Sequence, residues 1–579
     1  VAGFGSGKVG VYDVSEIDAD TFVPNASDAI PVEGGGPSGL WVSGSNLYVP
    51  SRFDNSLRVF DLLTHDETQR LVLHNPEPES VVAGRPFLYD ARRTASNGES
   101  SCASCHIEGD FDSLAWNLGD PDGFVVDNLN PFNQALPDAI DPMPRVFHPH
   151  KGPMTTQSLR GLANMGPQHW RGDRQGDEAA AFEAFAVAFP GLLGRDEGPL
   201  DPADMTAFRV FALQLRYPPS GTRALDNQPR NPPSGPNEAA GAAIYGTQSV
   251  PGPPTDITQI PQLATDCQSC HILRASTGDF GGDGESINDG GTQHFKIPHL
   301  RNAYQKIGMF FAAGAQQVRG YGFLHDGSVP TLKIFLGGGN PNSAFDLDGF
   351  EEDDLEAFIM AFPTDLAPMV GQQVTLNATL LAGTAAAEVN ARVDLMIERA
   401  GTPFISQVLG GLTTECELVA QVMEGGNSLN RYLLNAGGSF TPDDGGLPIS
   451  EMEMRSKAEI AGQEVTFTCA PPGSGNRMAL DRDEDALLNG LDNCPGAPNA
   501  PGGGTCTAGD SALLGTACSL TAACGAGGFC STAQEDSDAN GVGDACEPTL
   551  LPEPAANGLL ASGLLLLWAL SRARGSRSS

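Results

Sequence analysis

Apolar and polar residues alternate through the first 80 positions, between glycine-rich turns. Lys8-Val9-Gly10-Val11-Tyr12-Asp13, Asn46-Leu47-Tyr48-Val49 and Leu57-Arg58-Val59-Phe60-Asp61 carry the pattern, with Leu40-Trp41-Val42 beside them. Spacing of two sends alternate side chains to opposite faces of a pleated ribbon, so these segments predict strands. Their recurrence has the rhythm of propeller blades, with too few repeats to close a ring. From 85 to 370 the pattern changes to Gly-, Pro- and Asp-rich loops, and amphipathic stretches at 179–189, 204–215 and 351–362 predict helices. Residues 371–475 predict a small mixed α/β domain, with a strand at 373–380, a helix at 385–399 and a strand ending at Cys469. Cys416 and Cys469 are its only cysteines and are expected to pair.

Composition narrows the classes. The chain has 579 residues, enough for several cores, and 40% of them are hydrophobic. Seventy-one Gly and 44 Pro imply long irregular connections. Thirty-three Lys and Arg against 71 Asp and Glu leave a formal charge of −38, which argues against a nucleic-acid or anionic-membrane surface. The chain opens at Val1, already inside a strand pattern, and a preceding segment is expected. Of its 12 cysteines, four lie in two C-x-x-C-H motifs, and the other eight lie at Cys416 or later. That even number suits disulfides in an oxidising space, so export to the periplasm, cell envelope or exterior is expected.

Beyond 480 the acid becomes ordered. Asp481, Asp483 and Asp485 alternate with other residues ahead of Asp492-Asn493-Cys494-Pro495, and Asp536, Asp538, Asn540 and Asp544 repeat the scheme around Gly541. A hard cation takes six to eight oxygens from one short segment, and alternate positions supply them, so Ca2+ is the expected ion. The solvating alternative is a disordered acidic linker. Both segments resemble thrombospondin type 3 repeats, interrupted by an insert holding Cys506, Cys518, Cys524 and Cys530. The alternating segments of 1–80 resemble the YVTN-type β-propeller. At the far end, Pro552-Glu553-Pro554, an apolar run of thirteen residues at 558–570 and Arg572, Arg574 and Arg577 resemble the PEP-CTERM sorting signal. That run reaches roughly 20 Å, short of a roughly 30 Å hydrocarbon core. Transient anchoring followed by processing is expected, and a plain C-terminal anchor is the alternative.

Cys102-Ala103-Ser104-Cys105-His106 and Cys267-Gln268-Ser269-Cys270-His271 carry the chemistry. Two thiols spaced by two residues can form thioethers to the vinyl groups of one haem, and the next His can bind its iron from the proximal side. A zinc site or a redox dithiol is the structural alternative. Around the motifs, roughly over 85–363, the chain resembles the bacterial di-haem cytochrome c peroxidase family. The match is carried by Phe295-Lys296-Ile297-Pro298-His299-Leu300-Arg301-Asn302 with Phe323-Leu324-His325-Asp326-Gly327-Ser328. Lys151-Gly152-Pro153, Leu159-Arg160-Gly161 and His169-Trp170-Arg171-Gly172-Asp173-Arg174 add to it.

The resemblance makes Trp170 a candidate electron bridge between two haems, where the bland reading is a core Trp. It implies a distal His ahead of Lys151, here His148 or His150, with Met154 as a third choice. The family's sulfur ligand would fall on Gly339, which leaves Met309, Met360 or an open iron at the second haem. His325 is a candidate for the second haem's surroundings, against a turn-stabilising role. Glu183 and Glu178 are the candidate proton-moving carboxylates.

The expected architecture is multidomain: a partial β-propeller at 1–80, two mainly α-helical cytochrome c-type domains at 85–225 and 235–370, the mixed α/β domain at 371–475, calcium repeats at 480–547 and a sorting signal or anchor at 551–579. The expected function is that of an exported di-haem c-type cytochrome with peroxidase-like activity. A redox protein or small electron donor is its partner, and hydrogen peroxide its candidate oxidant. A pure electron carrier, a haem-dependent oxygenase and an adhesion or scaffold protein with accessory haems are the alternatives.

Overall fold

The alternating N-terminal segments pair as an antiparallel meander of Trp41–Ser43, Asn46–Ser51, Ser56–Asp61 and Glu67–Val72, neighbours in sequence being neighbours in the sheet. The structure, a computed structural model, describes residues 1–18, 21, 23, 29–127, 133–134, 146–246, 267–274, 279–282, 285–288, 294–307, 322–337, 347–424, 428–510 and 512–547. It divides into two units. One comprises Val1–Pro76 with the described part of Asp481–Ser579, and the other is Glu77–Leu480.

In the first unit, Leu47, Val49 and Phe60 turn one face of the meander inward, against Val9, Ile30 and Val32 of a three-stranded sheet. Arg58 is buried in the same sheet and is held by Asp54 and Glu67, each at 2.6 Å. The edge strand Glu67–Val72 meets the C-terminal cysteine-rich insert, where Val72 N–H donates to the Leu514 carbonyl at 3.3 Å. The insert is a three-stranded sheet of Ala517–Cys518, Gly504–Ala508 and Phe529–Ser531, stapled by Cys506–Cys524 and Cys518–Cys530. Segments from the two ends of the sequence, read separately above, thus share one unit.

In the second unit two helix pairs recur. Glu79–Tyr89 packs on Pro202–Ala212, and Glu238–Tyr245 packs on Gly349–Met360. Each crossing depends on a glycine: a Cβ at Gly84 would meet the Ala207 carbonyl at 2.3 Å, and one at Gly241 the Asp354 carbonyl at 2.0 Å. Amphipathic spacing identifies the second helix of each pair. Neither first helix is predicted by it, because Gly84 and Pro86 interrupt one and the other is mostly Ala and Gly.

The largest sheet of this unit is antiparallel and six-stranded, ordered Gln373–Asn377, Gln463–Ala470, Glu417–Glu424, Ser428–Leu434, Ser439–Pro442 and Ile449–Ser450. Helix Ala386–Ala400 lays Val393 and Met396 on it, with Leu418, Val465 and Phe467 in the shared core. The strand expected at 373–380 ends earlier. Asn377 accepts a hydrogen bond from Leu380 N–H at 2.9 Å and caps the short helix Ala378–Leu381 instead.

The eight cysteines from Cys416 onward form four disulfides, including the expected Cys416–Cys469 and a Cys494–Cys546 bridge between the two calcium segments. The motif cysteines take no part in them. Replacing Cys416 and Cys469 together by Ala, which opens a 53-residue separation, is expected to cost about 2–4 kcal/mol. A lower urea midpoint for the Glu77–Leu480 unit is the readout.

Candidate functional site

Cys102–Ser104 forms a single 3₁₀ turn, boxed at its start by Ser101 and Ser104. His106 N–H donates to the Cys102 carbonyl at 2.9 Å, so the turn carries both thiols and the imidazole on one short loop. Burial pushes the Cys102 thiol up to about 12 and raises Cys105 too, the carboxylate of Asp112 adding to the latter. A redox dithiol needs a stabilised thiolate, which this setting opposes. Among the described residues, neither motif belongs to a group of carboxylate, His and Cys ligands close enough to share a metal ion.

The imidazoles are oriented alike. His106 Nδ1 donates to the Gln157 carbonyl at 2.8 Å, and His271 Nδ1 donates to the Pro298 carbonyl at 2.7 Å. With the proton assigned to Nδ1 by that bond, Nε2 carries the lone pair, the arrangement of a His that ligates iron. Burial lowers the pKa of His106 and keeps it neutral. The residues therefore fit a thioether-bound haem at each motif.

The accepting carbonyls expose an internal duplication. Gln157-Ser158-Leu159-Arg160-Gly161 and Pro298-His299-Leu300-Arg301-Asn302 each place a Leu-Arg pair just after the carbonyl that receives the imidazole. A small hairpin follows in each half, closed by Gln168↔Arg174 in the first and by Phe323↔Val329 in the second. Both hairpins turn through a non-glycine residue at positive φ, His169 at 75° and Leu324 at 65°. Trp170 and His325 come next and hold equivalent places.

The halves grip each other reciprocally there. Thr155 N–H donates to the His325 carbonyl, and Lys296 N–H donates to the Trp170 carbonyl, both at 2.8 Å. Trp170 packs with Met154 and Phe295, and its Nε1 donates to the Thr155 carbonyl at 2.6 Å. Phe295 stacks on His325 with ring centroids 3.9 Å apart. Trp170 and His325, selected from separate motifs, thus meet at one seam. The sequence reading does not single out Arg301, which is buried and paired with Asp365. It also donates to the Gly161 carbonyl at 2.8 Å and lies over the Tyr217 ring. Its signal was the Leu-Arg pair repeated after both motifs.

Other candidates lie apart from this cluster. Glu183 pairs with Arg209 at 2.9 Å, and Glu178 accepts from Asn164 N–H. His148 is half-buried, its carbonyl held by Arg171 at 2.8 Å, while His150 is exposed. Met360 ends its helix against the apolar core of the second half. Met309, Gly339 and the tail from 548 onward lie outside the described residues.

In the acidic segment, Asp481, Asp483 and Asp485 bring carboxylate oxygens within 4.8 Å of one another. One oxygen each of Asp481, Asp483 and Asp492 is buried without a hydrogen-bond donor. Asp485 spends one oxygen on Asn499 and Ala500 N–H groups, both at 2.9 Å, which fixes the loop. Burial, then the charges of Asp485 and Asp492, push Asp483 up to about 7. Converging, unneutralised oxygens are what a hard cation requires. The second loop is more exposed. There Asp536 accepts from Asn540 and Gly541 N–H, and Asp544 from Ser537.

Residues 479–501 and 535–548 match the thrombospondin type 3 repeat, the two acidic segments in which that resemblance is expected. Among solved structures, the chain is similar to hydrazine synthase of Kuenenia stuttgartiensis pressurised with xenon, at 18% identity and a TM-score of 0.31, over 50% of this chain and 90% of that one. No curated protein matches the sequence. The disulfides and calcium repeats mark a secreted or extracellular chain. Among the described residues no helix is long and apolar enough to cross a membrane.

Arg301→Ala leaves Asp365 buried without its cation and is expected to cost about 3–5 kcal/mol, seen as an earlier urea transition of the Glu77–Leu480 unit. With calcium chelated, the folded protein holds a proton on Asp483 up to about pH 7, whereas the unfolded chain releases it near its ordinary value. The folded state therefore binds more protons in that window, and stability falls as pH rises through it. Melting of the first unit is expected to drop between about pH 5 and about pH 7.5 in chelator, and to lose that trend in calcium. Equal melting at both pH values in chelator would contradict the assignment.

Proposed function

We propose that the Glu77–Leu480 unit is a c-type cytochrome unit that binds two haems through Cys102 with Cys105 and through Cys267 with Cys270, and that its work is electron transfer. The observation that carries this reading is the duplicated imidazole orientation: His106 and His271 each give the Nδ1 proton to a main-chain carbonyl, at 2.8 and 2.7 Å. One orienting bond is common in proteins. Two, each directly after a C-x-x-C and each received by a segment that continues to a Leu-Arg pair, support a pair of matched iron ligands.

Haem, when bound, supplies the one-electron chemistry, and the chain's own groups determine how it is held. Gln157 and Pro298 orient the ligand imidazoles, and the hydroxyl of Tyr245 donates to the His271 carbonyl, which braces the second motif. Trp170, with Met154, Phe295 and His325, forms an aromatic and sulfur seam between the halves, suited to carrying electrons across an apolar interval. The peroxidase-like activity implied by the family resemblance requires one iron with an accessible face. The family's sulfur ligand falls on Gly339, which has no ligand atom, and that favours peroxide chemistry over pure electron carriage. In the first unit, the calcium repeats act as a stiffened support.

The decisive measurement is a pyridine haemochrome assay on protein denatured and extracted with acidified solvent. Two covalently retained haems per chain are expected, with one lost in a Cys102→Ser, Cys105→Ser variant and the other in Cys267→Ser, Cys270→Ser. Complete loss of pigment from the native chain on extraction would overturn the reading. Cyanide binding at one iron in the half-reduced protein is the expected mark of the peroxidase form.

A further inference from the structure

Carboxylates outnumber basic residues 71 to 33 in this chain, yet some deeply set basic side chains form no ion pair among the described residues. Lys296 and Lys306 are two. Lys296 ends the strand His294–Lys296, and its ammonium donates to the Pro167 carbonyl at 2.5 Å. Lys306 sits in helix Tyr304–Ile307 with its ammonium 5.5 Å from the centre of the Trp170 ring. Among the described residues neither forms an ion pair. A carbonyl dipole and an indole face offset only part of the cost of desolvating an ammonium, the indole about 0.5–2 kcal/mol.

Both lysines lie deep, and both are pushed down to about 8, Lys306 by burial and Lys296 by burial and then by Arg301. Both also keep part of their surface accessible, so neither is fully enclosed. The second centre is close. Burial holds the buried imidazole of His299 well below its ordinary pKa, and Arg301, Lys306, Lys296 and His271 add to the effect in that order. All four therefore lie within electrostatic reach of one ring.

The duplication shows that the fold does not require these charges. Counted from the carbonyl that receives the imidazole, Lys296 lies two residues before Pro298 and Lys306 eight after. The same places around Gln157 hold Thr155 and Met165. Thr155 makes the same reciprocal main-chain bond across the seam that Lys296 makes, and it is uncharged. Two cations are thus added to the second half alone, at a desolvation cost, in a scaffold that accepts neutral residues at both places.

We propose that Lys296 and Lys306 form an anion cradle that receives the carboxylate edge of the porphyrin tethered at Cys267 and Cys270. This rests on the di-haem reading above. By offsetting the carboxylate charge beside that iron, the two ammonium groups favour its reduced state, so the cradle also sets the two centres apart, the second having the higher potential. Trp170, lying against Lys306, then connects a lower-potential to a higher-potential site.

The test uses the full haem-loaded chain with the substitutions Lys296→Thr and Lys306→Met, singly and together, which copy the first half and so keep the fold within reach. Haem per chain is measured by pyridine haemochrome, and both midpoint potentials by optical redox titration. The expected result is two haems in every variant and a fall in one potential, larger in the double variant, with the other unchanged and Lys306→Arg close to native. Two haems with both potentials unchanged in the double variant would overturn the cradle and leave the di-haem reading intact. Absence of covalent haem from the native chain would remove both.

Discussion

A hydrogen bond from an imidazole Nδ1 to a distant main-chain carbonyl, made twice, is the constraint around which the larger unit is arranged. It reaches from His106 to Gln157 and from His271 to Pro298, and so fastens each C-x-x-C-H turn to a segment far along the chain. Each receiving segment runs straight into a Leu-Arg pair, and each is followed by a hairpin that delivers Trp170 or His325 to the seam. Ring orientation, arginine placement and the contact between the halves therefore depend on one local geometry. Arg301 extends it, since its guanidinium joins Asp365, Gly161 and the face of Tyr217. A buried ion pair of this kind contributes less through Coulomb attraction than through the penalty for any arrangement that leaves it unpaired.

Charge is distributed to opposite ends of the chemistry. The chain is strongly acidic, yet Lys296, Arg301 and Lys306 gather beside the second motif, and among the described residues only Arg301 has an ion-pair partner there, Asp365. The acid is instead concentrated in the loop where Asp481, Asp483 and Asp492 each bury an oxygen without a donor among the described residues, beside Asp485. Each arrangement is costly by itself and becomes favourable when a counter-charge arrives: a dication in the loop, an anionic edge at the seam. The disulfide Cys494–Cys546 holds the two calcium segments together, and the insert's own bridges brace the sheet that meets Val72.

Much of this was legible in the residues. Spacing of two marked the strands around Val49 and Val59, amphipathic spacing marked the helices Pro202–Ala212 and Gly349–Met360, and cysteine parity marked the disulfides. Motif chemistry selected the C-x-x-C-H turns and the alternating carboxylates, and the family resemblance pointed to Trp170 and His325. The helices Glu79–Tyr89 and Glu238–Tyr245 were hidden, because each carries in its interior the glycine, Gly84 or Gly241, on which its close crossing depends, and an interior glycine weakens the helix signal. Glu183 illustrates the converse, a plausible acid whose actual partner is Arg209.

The sequence by itself determined the covalent and local chemistry: which thiols stand beside which His, which oxygens alternate, which stretches have a face to bury. These follow from residue identity and from spacings of a few positions, which the chain cannot alter by folding differently at a distance. Only the tertiary structure decided which carbonyl receives each imidazole, that Trp170 and His325 occupy equivalent places, and that Lys296 and Lys306 stand without carboxylates among the described residues of an acidic protein. Those are relations between residues far apart in sequence, and they come into being when two halves are packed together and water is excluded between them.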